Sequence, residues 1–186
     1  MITLPKADKA RIRRLEAGEE QRLLIDANDQ LQRIITLALE TGMRRGEILN
    51  IKKSHIDLTL RTLFIPSTKT NEPRTIPLSS AAIASLRGQM RVSQRQSQGV
   101  ISLHEPPFFA YKPRGVSGEF SKLCRRTGID DFHFHDLRHE ATSRLKFRIH
   151  PPFRRPQDQL FIYEADSRAI MQFIWLMLTG EWTDGW

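Results

Sequence analysis

The clearest periodic stretch of the chain is a run of apolar residues at helical spacing over residues 31–39. These positions follow the i, i+3, i+4, i+7, i+8 pattern of a helix that turns one face toward a core: Leu31, Ile34, Ile35, Ala38 and Leu39. Gly42 is expected to end this helix, because glycine readily adopts the left-handed conformation at a helix C-terminus. A new short helix over residues 45–49 would then leave Arg44 exposed at the junction of the two helices.

The pattern predicts another helix before this one and a change of period after it. Residues 11–27 are charged and amphipathic, with Ile12, Leu15, Leu23 and Leu24 as their apolar positions. Residues 62–66 and 74–78 have the composition of two short strands. The connection between them, residues 67–73, is polar and rich in turn residues. A hairpin with Lys69 near its tip is therefore expected.

The second half of the chain is predicted to be mostly helical. Ser79 and Ser80 are suited to cap a helix that runs through Leu86 and beyond. Polar composition favours loops over residues 91–99 and 112–118, with a short buried segment at residues 108–110, a helix over residues 120–127 and a helix that starts within residues 133–145. The expected fold class is α+β, mainly α, with one small antiparallel sheet.

Charge changes this picture by indicating a polyanionic partner. The chain has 186 residues and a formal net charge of +8, which favours nucleic acid over an anionic membrane surface. Residues 1–145 hold 24 Lys and Arg against 16 Asp and Glu, whereas residues 146–186 hold five of each. The N-terminus has no apolar secretory segment, and the mostly apolar run at residues 169–178 is too short to span a bilayer. Cys124 is the only cysteine and is expected to be a small core residue in a reducing, cytoplasmic setting.

Four residues form a candidate set for phosphoryl transfer. Arg44 and Arg138 would stabilise the non-bridging oxygens of a phosphodiester, and Lys69 would supply a proton to the leaving oxygen. His135 would bind the phosphate or move a proton near neutral pH. Glu47 is interpreted as bracing the helix that carries Arg44. The chain has no cluster of carboxylates that would suggest a two-metal nuclease, so a route without metal is expected.

The histidines near Arg138 leave a metal site as an alternative. His135 and His139 are i, i+4 neighbours on the predicted helix, and His133 precedes them. The neighbouring arginines would repel a cation, which argues against that alternative.

At this point the chain resembles the tyrosine recombinases, also called phage integrases. Residues 41–47 (TGMRRGE) are similar to the family's first-arginine motif, residues 68–69 before 74–78 (RTIPL) to its hairpin lysine, and residues 135–139 (HDLRH) to its His-x-x-Arg box. The resemblance implies a mostly helical catalytic domain with a small sheet. It also implies that this domain exchanges strands of double-stranded DNA through a 3′-phosphotyrosine linkage, without a metal or nucleotide cofactor. It implies that Arg44 and Arg138 clamp the phosphate, that Lys69 is the general acid and that His135 assists proton transfer. It further implies assembly of several copies on DNA in the cytoplasm of a bacterium, encoded by the bacterium or a phage.

The resemblance ends after Leu145. The family pattern continues with a Gly-His segment and a nucleophilic tyrosine, but here three prolines follow within residues 151–156, and the only later tyrosine is Tyr163. Tyr163 is therefore the candidate nucleophile, with packing in an apolar cluster as the alternative. We expect residues 1–145 to form the recombinase-like core and residues 146–186 to be an atypical segment, frameshifted or replaced.

Three functions remain open on the sequence alone. The first is site-specific DNA recombination or integration, impaired by the atypical segment. The second is a catalytically inactive DNA-binding remnant of an integrase, which holds phosphodiesters with Arg44 and Arg138. The third is a small metal-dependent nuclease.

Overall fold

The computed structural model describes residues 13–66, 73–97 and 107–149. Six α-helices lie in these ranges, and a short 3₁₀ helix (Lys53–His55) precedes the first strand. The α-helices are α1 (Glu19–Asp26), α2 (Asp29–Thr41), α3 (Arg45–Leu49), α4 (Ser80–Ser97), α5 (Pro113–Arg126) and α6 (Asp136–Ile149). Three short strands, β1 (Ile56–Asp57), β2 (Thr62–Ile65) and β3 (Arg74–Pro77), form one antiparallel sheet in the order β1-β2-β3. The predicted α+β, mainly α, fold class is confirmed.

Helix α2 is the centre of the core. Asn28 caps its N-terminus by accepting the Leu31 N–H at 3.0 Å. The predicted apolar face is buried, and Leu37 on another side is buried as well. The burial of several sides follows from the packing of α4 and α6 against α2, the two most extensive helix contacts of the fold. Helix α2 ends at Gly42, whose φ of 61° is the left-handed value predicted for that position.

The sheet contains the predicted hairpin and one additional strand. Strands β2 and β3 pair with Thr62 opposite Pro77 and Ile65 opposite Arg74. Strand β1 pairs on the other side of β2, through Ile56 and Leu63. Strand β1 was not predicted, because a strand of two residues is too short to show an alternating pattern of apolar and polar positions. The connection that carries Lys69 lies outside the described residues.

The prediction of a helix over residues 11–27 was wrong in its first part. Residues 13–16 are not helical, and α1 begins only at Glu19, after Gly18 adopts a left-handed φ of 81°. The basic residues before Gly18 make long-range contacts instead: Arg14 pairs with Glu140 of α6 at 2.7 Å. A local amphipathic pattern cannot reveal such a partner, because the partner is distant in sequence.

The two predicted loops at residues 91–99 and 112–118 were also wrong where the structure describes them. Helix α4 continues through Ser97, and its polar residue Gln89 is buried because it donates a hydrogen bond to the Phe108 carbonyl at 2.6 Å. Helix α5 begins at Pro113, where a proline is favoured because the first helical N–H has no partner within the helix. Phe108 and Phe109 are buried as predicted, and so is Cys124, whose pKa is raised by burial to about 11.

Within the described residues, no helix is long and apolar enough to cross a membrane. The predicted apolar run at residues 169–178 lies outside those residues.

Candidate phosphate-binding site

Arg44 lies where the chain leaves one helix and enters the next. Gly42 ends α2 in the left-handed conformation, and Arg44 is the extended N-cap residue of α3, with φ −70° and ψ 148°. The Met43 side chain between them is buried, which fixes the junction to the core. The Arg44 side chain is 39% exposed, so its guanidinium is available to a ligand at the surface.

Glu47 holds this junction in place, as the sequence indicated. Its side chain is only 6% exposed. One carboxylate oxygen, Oε2, accepts the Arg44 backbone N–H at 2.8 Å and Arg74 Nη2 at 2.7 Å. The other, Oε1, accepts Arg44 Nη1 at 3.1 Å. The contact to the Arg44 N–H is the reach of an N3 glutamate back to the N-cap that is common at helix starts.

Helix α6 contributes the second arginine and the histidine. Its N-terminus is fixed by Asp136, which accepts the His133 backbone N–H at 2.7 Å. Arg138 is half-buried in the first turn, and its Nη1 donates to the Gly42 carbonyl at the end of α2. This hydrogen bond ties the two arginine-bearing segments together.

Several cations lie close enough to Arg138 to affect its pKa. Burial lowers the pKa of Arg138, and the nearby positive charges of Arg44 and Arg74 lower it further, whereas Glu47 opposes the shift. Three guanidiniums and one carboxylate therefore leave an excess of positive charge. Such a cluster is suited to an anion with several oxygens, because arginine donates in pairs to phosphate oxygens.

His135 lies beside the same cluster. Burial lowers the pKa of His135, followed by the neighbouring His139 and Arg138, and Arg44 adds a smaller effect. The His135 and His139 rings meet edge to face, with centroids 4.8 Å apart. A lowered pKa keeps the His135 imidazole neutral near pH 7, where one ring nitrogen donates a hydrogen bond and the other accepts one.

The structure thus brings together three of the predicted site residues, Arg44, His135 and Arg138. Lys69 and Tyr163 lie outside the described residues. The described strands do fix the two ends of the connection that carries Lys69, because β2 ends at Ile65 and β3 begins opposite it, at Arg74. In the described part of the chain, no three His, Cys, Asp or Glu side chains are grouped to hold a metal ion.

Arg74 is a member of the site that the sequence analysis missed. It was interpreted only as a strand residue, yet it bonds to Glu47, 27 residues earlier. The strand alternation contained a signal, because Arg74 and Ile76 must share one face of β3 and Ile76 is apolar. Ile76 is 1% exposed and the Arg74 side chain 14%, so both face inward.

Comparison with known proteins gives relatives for most of the chain. The model of the phage integrase family matches residues 13–148. The shufflon-specific DNA recombinase of Escherichia coli is 37% identical over 148 residues, which cover 78% of this chain and 36% of that protein. The chain spans 36% to 40% of the length of the first curated relatives it matches.

Solved structures share the fold at low identity. The XerA recombinase aligns with a TM-score of 0.64 at 19% identity, over 92% of this chain and 57% of that one. The catalytic core of lambda integrase aligns with a TM-score of 0.57 at 20% identity, over 77% of this chain and 94% of that one.

Proposed function

Because the chain belongs to the phage integrase family, we propose that it carries the catalytic core of a site-specific DNA recombinase. The observation that supports this most directly is the convergence of Arg44, His135 and Arg138 on one cationic surface, joined by the Arg138–Gly42 hydrogen bond. Residues 1–145 would form the core, and residues 146–186 would be a separate segment. An active recombinase would take its nucleophile, Tyr163, from this segment, whereas an inactive remnant would have no nucleophile there.

The site would bind one phosphodiester of the DNA backbone. Arg44 and Arg138 would each donate to non-bridging oxygens, and these interactions would strengthen as charge develops on those oxygens in the transition state. Neutral His135 would donate its ring N–H to the same phosphate. The guanidiniums supply the positive charge that a metal ion provides in other phosphoryl-transfer sites, so the proposed reaction uses no metal or other cofactor.

The chemical step would be an exchange of ester bonds. The Tyr163 hydroxyl would attack phosphorus and give its proton to the ring nitrogen of His135 that carries no hydrogen. This forms the 3′-phosphotyrosine bond and breaks the bond from phosphorus to the 5′ oxygen. Lys69 would give a proton to that leaving oxygen. The 5′-hydroxyl of a second strand would then attack the phosphotyrosine and give its proton back to Lys69. His135 would return the first proton to the released tyrosine, which completes the strand exchange. No hydrolysis is involved, so the number of phosphodiester bonds is conserved.

Double-stranded DNA and further copies of the chain are the proposed partners. Structures that share this fold include a lambda integrase dimer bound to a core site and the Tn1549 integrase bound to circular-intermediate DNA. The relatives include recombinases of a bacterium and of a phage, and on this basis we propose that the chain acts in the bacterial cytoplasm.

A nicked DNA substrate tests the proposal. A nick close to the cleavage point lets the cleaved fragment diffuse away and traps a covalent protein–DNA adduct, which is visible on a denaturing gel. A pool of nicked duplexes with randomised half-sites replaces the unknown target. We expect an adduct from the wild-type chain, no adduct from Tyr163→Phe, slower formation by Lys69→Ala, and no effect of a chelator.

Tyr111→Phe is the matched control, because Tyr111 is the other tyrosine of the chain and, among the described residues, its hydroxyl accepts a hydrogen bond from Asn28 at 2.9 Å. An adduct that survives Tyr163→Phe would remove Tyr163 from the mechanism. Salt-dependent DNA binding without any adduct would indicate that the chain is a catalytically inactive DNA-binding remnant. Cleavage that stops with a chelator would indicate a metal-dependent nuclease instead.

A further inference from the structure

The Glu47 carboxylate is shared unequally between two arginines. Its Oε2 atom already accepts two hydrogen bonds, from the Arg44 backbone N–H at 2.8 Å and from Arg74 Nη2 at 2.7 Å. Only Oε1 remains for the Arg44 guanidinium, which reaches it through one nitrogen at 3.1 Å. Arg44 is therefore held at a single point, and its other guanidinium donors have no partner among the described residues.

If Arg74 did not occupy Oε2, the Glu47 carboxylate could bind the Arg44 guanidinium through both of its oxygens. Two parallel N–H···O bonds are the preferred and stronger geometry for an arginine next to a carboxylate. If Oε2 lost its contact with Arg74, it could accept a second guanidinium N–H from Arg44. That fork would neutralise Arg44 and take two of the donors that a phosphate needs.

Arg74 contributes to the fold through its buried ion pair with Glu47, but its other surroundings oppose its position. Its side chain is 14% exposed, and the buried Nε–H finds no acceptor among the described residues. A buried donor without a partner is destabilising, and so is the proximity of Arg74 to the like charges of Arg44 and Arg138. The interaction that its position does provide is the bond to Glu47.

We propose that Arg74 is a positioning residue, which occupies Glu47 so that Arg44 keeps its free donors for the phosphate. The inference rests on the proposed function in so far as that phosphate belongs to DNA. Arg74 itself does not touch the phosphate in this arrangement. It acts from strand β3 through the Glu47 carboxylate on a residue of the α2–α3 junction.

A double-mutant cycle separates this role from a direct contact. The probe is a short fluorescent duplex DNA, and the readouts are the dissociation constant from anisotropy and its dependence on salt. We expect Arg74→Gln to weaken binding on the order of tenfold, the effect of losing one charge-assisted hydrogen bond. The log–log salt slope should fall in magnitude by about 0.9, the equivalent of one phosphate contact.

The decisive comparison is made with Glu47→Gln. The neutral amide in this variant cannot form an ionic fork with Arg44, so Arg74→Gln in the Glu47→Gln background should change the affinity less than about twofold. The same loss in both backgrounds would mean that Arg74 contacts DNA directly and would overturn the proposal. No loss in either background would overturn it as well.

Arg61→Gln is the matched control. Arg61 is also a half-buried arginine of the sheet region with an unpartnered buried Nε among the described residues, but its guanidinium bonds to Ser80 at 3.0 Å and not to Glu47. Its effect should be equal in the two backgrounds. Thermal unfolding checks that each variant is folded, and Arg74→Lys replaces Arg74→Gln if the latter is not, with a smaller loss expected.

The proposed function and this inference fail in different ways. If the wild-type chain does not bind the duplex, the proposed function fails, and the same four proteins are compared by the thermal stabilisation that inorganic phosphate produces. Loss of that stabilisation in Arg74→Gln and its return in the double variant would still support the role of Arg74. Equal stabilisation of all four proteins would refute it.

Discussion

Glu140 is a buried carboxylate whose removal should destabilise the fold measurably. It lies on α6 with a side chain 6% exposed, and it accepts three hydrogen bonds: from Arg14 Nε at 2.7 Å, from Arg144 Nε at 2.8 Å and from the Leu15 backbone N–H at 3.2 Å. Arg144 also pairs with Glu20 of α1 at 2.7 Å. Glu140→Ala would therefore release the segment before α1 from the helix that carries the His-x-x-Arg box.

The loss of stability in Glu140→Ala depends on how far the Glu140 carboxylate and its two arginine partners are exposed to water. Breaking a buried ion pair by removing one partner costs about 3–5 kcal/mol. The two arginines are 34% and 31% exposed, so water compensates part of this loss once the carboxylate is gone. We expect Glu140→Ala to lower the free energy of unfolding by about 2–3 kcal/mol, which corresponds to a decrease in Tm of roughly 5–10 °C for a chain of this size.

The pH dependence of this loss has a defined sign. Burial alone would raise the pKa of Glu140, but the hydrogen bonds from Arg14, Arg144 and the Leu15 N–H lower it below its ordinary value of 4.5. A carboxyl whose pKa is lower in the folded state stabilises the fold above the unfolded-state pKa and loses that effect as the pH falls through the folded-state pKa. The difference between wild type and Glu140→Ala should be constant near neutral pH and shrink below about pH 4.5.

Urea unfolding of both proteins, at pH 7 and in steps toward acid, measures this difference. Glu119→Ala is the control, because Glu119 is also helical and pairs with Lys122 at 2.8 Å, but the two side chains are 41% and 64% exposed. It should cost less than about 0.5 kcal/mol. The reasoning is refuted if Glu140→Ala costs no more than Glu119→Ala, or if its cost does not change with pH.

Three further predictions concern individual residues. Cys124, with a pKa near 11 and a buried thiol, should not react with a thiol reagent at pH 8 until urea unfolds the chain; fast reaction in the native protein would contradict its burial. Gly42→Ala should lower the free energy of unfolding by about 1–2 kcal/mol, measured by thermal unfolding, because Gly42 has a left-handed φ of 61°. Gly46→Ala is the control: Gly46 lies inside α3 with open space around it, so the change should be neutral or stabilising. NMR titration should give His135 a pKa below its ordinary value of 6.5. His139→Gln should raise that pKa by removing the electrostatic effect of His139, and an unchanged or lower value in the variant would show that His139 has no such effect.

The parts of the fold that local pattern determines could be predicted from the sequence. The spacing of apolar residues over residues 31–39 and the glycine after them defined α2 and its end, and with them the exposed junction that presents Arg44. The hairpin was predictable from two apolar segments around a polar connection. Helix boundaries were less accurate where the sequence is polar, because α4 continues through Ser97 and α5 begins at Pro113 in segments whose composition favoured loops.

The residues of the candidate site likewise fall into those that a local motif identifies and one that it does not. Arg44, His135 and Arg138 were identified because arginine and histidine in these motifs have the chemistry that a phosphate requires. Arg74 was not, because its importance lies in the bond to Glu47, an ion pair between a strand and a helix. A one-dimensional pattern records which side chains share a face of one element, but not which faces of different elements meet.

The hydrogen bond from Arg138 to the Gly42 carbonyl spans 96 residues of sequence, and this has a consequence for the newly synthesised protein. At translation rates of about 5–20 residues per second, the segment that carries Arg44 is made roughly 5–20 s before Arg138. During that interval the nascent chain has Arg44 and the Gly42 carbonyl but not the Arg138 side chain that donates to this carbonyl. Until Arg138 is made, we expect the growing chain to have little affinity for phosphate at this site, although it is attached to a ribosome that is rich in RNA.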